Sequence, residues 1–472
     1  MTDVDAHPGL TRQGSFRNLT GAGGLAALPG ENTADPLLDR LSTPTAWLMC
    51  IVGSAAVGLV MGQSALLATA HMAVTLTALL CISVFSRRPG PIVAITVYAG
   101  LGDVLWRVAG ARGPYEASKY AIAIGFTVLV VRFIPHPKNL APGLTVILLL
   151  VPASILTVFQ FGPIAAREYI VGNLLGLVAL VTAGVACSNL RMRPREIRGL
   201  YLIALSPIVS LTALTTAATR GAGSDLQFVD EANFVAAGGF GPNQVSSILC
   251  FGGLLVVLTV LQPRVGWHIR AIALVAGCWM VGQAVLTFSR GGVFALVLAA
   301  AAIGLTALTQ SGQRSRIIVA AGVLIVIALQ ILSWAGAFTG GASDERFTSV
   351  DTTNRSEIAR TDVDLFLAQP WGVGVGISPA ERDYPGEATA HTEATRLMAE
   401  HGMAGLGVIV ILFFLSARMV RASRGWQRLA AVGLVTMATA QTFHSATRIG
   451  SIAVAFGLAA LLLDQEDDQR IS

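Results

Sequence analysis

Charge is what this sequence has least of. Only 12% of its 472 residues are Asp, Glu, Lys or Arg, about half the roughly 25% of an ordinary soluble domain. So long a chain with so little charge cannot cover a globule with polar surface. Its 54% hydrophobic content and mean hydropathy of +0.67 fit a protein whose surface mostly faces lipid. Lysine is nearly missing, with two against 30 arginines. The net charge of +5 is no nucleic-acid footprint, because the arginines sit in short loops between apolar runs. Cysteines are few: Cys50, Cys81, Cys187, Cys250 and Cys278 all fall inside apolar runs without metal-ligand spacing, as small apolar fillers. No basic segment leads into an apolar one near the start, as a signal peptide would require. Residues 1–43, with Asp3, Asp5, Glu31, Asp35 and Asp39 among scattered Gly and Pro, read as a disordered cytoplasmic tail.

What the chain does have is apolar runs. They fall at about 45–63, 65–85, 91–110, 117–134, 141–160, 167–187, 199–218, 244–262, 269–288, 291–309, 316–335, 402–418, 428–446 and 448–463. Each is close to the roughly 20 residues that carry a helix across the hydrocarbon, and open strands cannot cross it. The expected fold is therefore all-α, a polytopic membrane helix bundle of about fourteen transmembrane helices over residues 44–463. Alternate loops hold Arg87 and Arg88; Arg132 and Lys138; Arg191, Arg193, Arg195 and Arg198; Arg264 and Arg270; Arg314 and Arg316; and Arg418, Arg421, Arg424 and Arg428. That asymmetry places those loops, both termini and the 464–472 tail in the cytoplasm of a cell-membrane protein. Two long loops, 219–243 and 336–401, are then extracytoplasmic. The second is mixed in charge and rich in Gly and Pro, which marks it as a functional element.

Two arginines open helices at the outer end: Arg290, in Ser289-Arg290-Gly291-Gly292, and Arg167. A cation in a first turn opposes the macrodipole unless an anion binds there, where free N–H groups and a guanidinium converge on it. Gly291 and Gly292 would then let a bulky ligand reach the backbone. The other reading is that each arginine reaches to lipid phosphates. Asp103 and Arg107, spaced i, i+4, read as an ion pair facing the bundle interior. His391 follows the long loop, and its near-neutral pKa suits a general base. It is ten residues from His401, about 280° around a helix, so the two do not make a metal pair. Gly372-Val-Gly374-Val-Gly376 lacks the context of a nucleotide loop and reads as a turn.

In order along the chain, these residues resemble the O-antigen ligase and O-antigen polymerase family. Arg167 with Asn173, Gly241-Pro242-Asn243 and Thr287-Phe288-Ser289-Arg290-Gly291 are similar to its arginine-bearing helix, its Pro-Asn entry and its Ser-Arg-Gly start. Gln369-Pro370-Trp371-Gly372-Val373-Gly374 resembles its turn. His391-Thr392, nine residues, then Gly402-Met-Ala-Gly405 resembles its ligase pattern, with Thr392 where Asn, Ser or Gln is usual. The resemblance implies a GT-C-like membrane glycosyltransferase that is metal-independent and needs no cofactor. It would transfer or polymerise polyprenyl-diphosphate-linked glycans on the outer face of the membrane, with a glycan or glycolipid as acceptor. His391 would be the base, and Arg290 and Arg167 would hold the diphosphate. The alternative is a transporter or flippase of lipid-linked oligosaccharides, which usually shows two similar halves. None is visible here.

Overall fold

The protein is described from a computed structural model covering residues 35–223, 228, 231–310, 314–348, 355–385, 390, 392–444 and 447–463. It is almost wholly helical. The first half contains α1 (Pro36–Arg40), α2 (Pro44–Met61), α3 (Ala65–Phe85), α4 (Pro89–Leu101), α5 (Asp103–Val108), α6 (Ala117–Phe133), α7 (Leu140–Cys187) and α8 (Pro194–Gly221). It continues with α9 (Pro242–Leu261), α10 (Trp267–Leu286), α11 (Arg290–Leu308), α12 (Arg314–Phe338) and α13 (Ala342–Thr348). The last elements are α14 (Arg355–Ala368), α15 (Ser378–Glu381), α16 (Glu393–Ala422), α17 (Gly425–Thr442) and α18 (Gly450–Ala460). Among the described residues, eight helices are long and apolar enough to cross a membrane: α2, α3, α7, α8, α9, α10, α11 and α16. This is an all-α, multi-pass membrane protein.

Helix α7 holds two of the apolar runs. Its backbone breaks at Gly162 (φ 74°, ψ 163°), followed by Pro163, which can donate no helical hydrogen bond. The halves fold back on each other, since a Cβ on Gly143 would touch the side chains of Val185 and Val181. Burial separates centre from rim. The spans of α9 and α8 are 83% and 72% buried, against 17% for α2 and 11% for α16. With lipid as solvent, helices associate through close packing rather than exclusion of apolar surface. Thus α2 meets α8 where Gly58 lies on the Ser210 carbonyl and Ser210 Oγ donates to Ser54 O at 2.7 Å.

The arginine-bearing loops gather at one end of the bundle. There Arg191–Met192 (β1) and Leu462–Leu463 (β2) form a short parallel pair, and Arg132 donates to Ser86 O at 3.0 Å. Arg198 meets Gln262 at 3.2 Å, and Trp426 Nε1 donates to Leu258 O at 3.1 Å. The expected tail of 1–43 is ordered over its last residues. Asp35 caps α1, Leu38 is fully buried, and the Asp35 N–H donates to Glu196 at 2.5 Å. Residues 1–34 and 464–472 lie outside the described residues.

Candidate active site

The opposite end of the bundle carries the long loop, and nearly every motif singled out in the sequence lies there. Helix α16 starts nine residues before the expected apolar run and breaks at Gly402 (φ 58°, ψ −137°), a conformation open to glycine alone. The 369–374 turn repairs the break. Val373 N–H donates to Ala399 O and Gly374 N–H to Glu400 O, while Met403 N–H, which lost its helical acceptor, donates to Pro370 O at 2.8 Å. Gly372, Gly374 and Gly376 all have positive φ (84°, 109° and 75°), so the expected turn is what they form. A Cβ on Gly402 would strike Pro370 O, and one on Gly405 would strike Leu397 O. The Gly-x-x-Gly spacing therefore folds the short first half of α16 back onto its long second half.

That first half is a hub of buried charge. Arg396 pairs with Glu393 at 2.5 Å and Glu400 at 2.7 Å, and donates to Asn173 O of α7 at 3.0 Å. Glu393 also accepts from the N–H and Oγ1 of Thr447, both at 3.1 Å. Arg448 donates to Ala390 O at 2.8 Å. Burial, then the nearby Arg396, pulls the Arg448 guanidinium below its ordinary pKa. Arg382 pairs with Asp362 at 3.2 Å, both side chains fully buried, and Thr395 donates to the same carboxylate at 3.0 Å. Burial, outweighing Arg382, pushes Asp362 above the usual carboxylate range. His391 itself lies outside the described residues, but its neighbours on either side do not: Arg448 fixes Ala390, and Thr447 fixes Glu393.

A second group surrounds Arg290. Ser289 Oγ donates to Asn243 Oδ1 at 2.7 Å and Ser246 Oγ to Ser289 O at 3.0 Å, so the Pro-Asn and Ser-Arg-Gly motifs touch. Phe288 before them is buried in the left-handed region (φ 56°). Arg346 donates to Phe288 O at 3.3 Å, and Arg290 to Arg346 O at 3.5 Å. Arg355, at the start of α14, is held below its ordinary pKa by burial and then by Arg290 and Arg346. Three guanidinium groups thus share one place, two of them from the long loop and not chosen from the sequence. Charge in that loop was their only signal.

The expectation for Gly291 and Gly292 needs correction. A Cβ on Gly291 would meet the His444 ring, and one on Gly292 the Ser246 backbone, so protein rather than ligand fills the space. His444 in turn sits 2.7 Å from Ser247 Oγ. Arg167 is exposed after the α7 break and has no hydrogen bond or ion pair with a described residue. No such bond joins it to Arg290; its helix reaches the site through Asn173 instead. The expected Asp103–Arg107 pair is present at 2.8 Å. Arg107 also bonds Gln244 at 2.9 Å and stacks on Tyr115 at 3.7 Å, while Asp103 accepts from Gly450 N–H at 3.2 Å.

No curated protein matches the chain. The family described as O-antigen ligase matches residues 273–410, which run from α10 through the Ser-Arg-Gly start and the long loop to the Gly-x-x-Gly break. The match supports a membrane enzyme of surface-polysaccharide assembly. The similarity to the O-antigen ligase family rests on that stretch, within a multi-pass membrane protein.

Proposed function

We propose that the protein transfers a glycan from a polyprenyl diphosphate carrier to a hydroxyl of a glycan or glycolipid acceptor, on the outer face of the cytoplasmic membrane. The observation that carries this reading is the matched stretch 273–410, whose two motif groups lie at one end of the bundle beside three arginines. His391 takes the proton of the acceptor hydroxyl. The acceptor oxygen bonds to the anomeric carbon as the bond to the carrier's diphosphate breaks, inverting that centre, and the diphosphate leaves with its electron pair. Developing negative charge on the leaving group is met by Arg290, supported by Arg346 and Arg355. Guanidinium groups suit this task because their planar fork matches two phosphate oxygens at once. Arg167, exposed and near the α7 break, serves the carrier's diphosphate on its way in. No metal takes part in this scheme.

The test is direct. Purified protein in liposomes, given a defined polyprenyl-diphosphate glycan and an acceptor, is expected to release polyprenyl diphosphate in step with product. Absence of release with every acceptor offered overturns the reading. Deleting the gene separates the subtypes: single-unit surface glycans indicate a lost polymerase, and carrier-linked full-length chains a lost ligase.

A further inference from the structure

A cavity of about 590 Å³ lies between α8, α10 and α12, on the half of the bundle nearer the long loop. Its size is that of a ligand site, about 300–1,000 Å³. Its wall includes Trp279, Leu286, Trp334 and Phe338, and the last two are half exposed. Most of the polar groups in the wall satisfy one another. Gln283 accepts from Thr216 at 3.1 Å and donates to Thr219 and Ala236 O, both at 2.9 Å, while Trp279 Nε1 donates to Thr216 at 2.9 Å. What they leave for an occupant is chiefly apolar surface. At the loop end stands Arg220, in the last turn of α8, exposed and without a hydrogen bond or ion pair to any described residue. Leu286 in the wall is four positions before Arg290.

We infer that this cavity holds the polyprenyl chain of the carrier, with Arg220 facing its phosphate groups. The inference rests on the proposed function, because the carrier's diphosphate is what Arg290 would hold. Arg290 follows the wall residue Leu286 by four positions, so a hydrocarbon tethered there starts close to the cavity, and a cation over an apolar trough matches a lipid with an anionic head.

Occupancy can be read without activity. A photo-crosslinking amino acid in place of Ile331, in vesicles of phosphatidylglycerol and phosphatidylethanolamine doped with polyprenyl diphosphate, should give a polyprenyl adduct. Added polyprenyl phosphate should suppress it. A phospholipid adduct unchanged by the carrier, or no adduct, overturns the inference. Kinetics supply the second arm. Among the described residues, a Cβ on Gly282 meets only the Trp334 ring, at 3.6 Å, so Gly282→Phe projects into the space. It should raise KM for the full-length donor about tenfold and leave a donor cut to two isoprene units unchanged. An equal effect on both donors also overturns the inference. If the wild type turns over neither donor, the proposed function fails while the adduct still reports on the cavity.

Discussion

His391 and His401 lie ten residues apart in the sequence, and their substitutions should behave differently. A general base contributes about 100- to 10,000-fold, so His391→Ala is expected to insert and accumulate normally yet lose transfer by that factor. His401 is 2% exposed, and neither ring nitrogen has a hydrogen-bond partner among the described residues. Burying unpaired polar atoms is costly, so His401→Leu, which keeps the bulk, should leave transfer within a few-fold of wild type. His401→Ala is the poorer control, because it opens a gap beneath Gly405. A liposome transfer assay on both variants, normalised to purified protein, decides; equal activity in His391→Ala and wild type returns His391 to a structural role. For Arg290, even the charge-conserving Arg290→Lys should lose about 30- to 1,000-fold in rate, because lysine keeps the charge without the fork. Full activity in Arg290→Ala would mean that this arginine only anchors α11. Both residues were singled out from motif spacing. Arg346 and Arg355 were not, because only the folding of the loop brings them to Arg290.

Among the elements, the broken helices show where sequence reading ends. Apolar runs marked the two halves of α7 and the long half of α16, because each run is about one membrane span long. The short half of α16 carries Glu393, Arg396 and Glu400, and read in isolation these look like a solvated loop. In the structure they are buried, because each charge has a partner brought by α7, α15 or the 447–448 segment. The Asp362–Arg382 pair follows the same logic and can be tested. Removing one member of a buried pair strands the other charge, at about 3–5 kcal/mol, whereas replacing both with apolar residues of similar volume is often near neutral. Asp362→Leu alone should therefore loosen α14 and speed proteolytic cleavage of the loop in detergent, and Arg382→Met alone should do the same. The double variant should recover much of the loss. Additive damage in the double variant would show that the pair contributes no coupling.

At the scale of the whole molecule, the distribution of arginine reflects how the bundle is threaded. Loops that are alternate in sequence meet at one end: 86–88 with Arg132, Lys138 with Asn189, Pro194 with Gln262, Arg191 with Leu462, and Gln427 with Leu461. That grouping requires an even number of passes between consecutive arginine-bearing loops, as the alternation implied. The other end holds Asp103, Asn243, Ser289, Glu393 and Arg448, which are joined across α5, α9, α11, α16 and the 447–448 segment. Positive loops stay on the cytoplasmic side during insertion, so the end with the long loop should face outward, where carrier-linked glycans are displayed. Trp371 is 84% exposed on that loop and Arg421 lies at the other end. In a background with the native cysteines replaced, Trp371→Cys should react with a membrane-impermeant maleimide in intact cells. Arg421→Cys should react only after permeabilisation. The reverse pattern would put His391 and Arg290 on the cytoplasmic side, out of reach of an outward-facing carrier. It would overturn the proposed reaction while leaving the fold untouched.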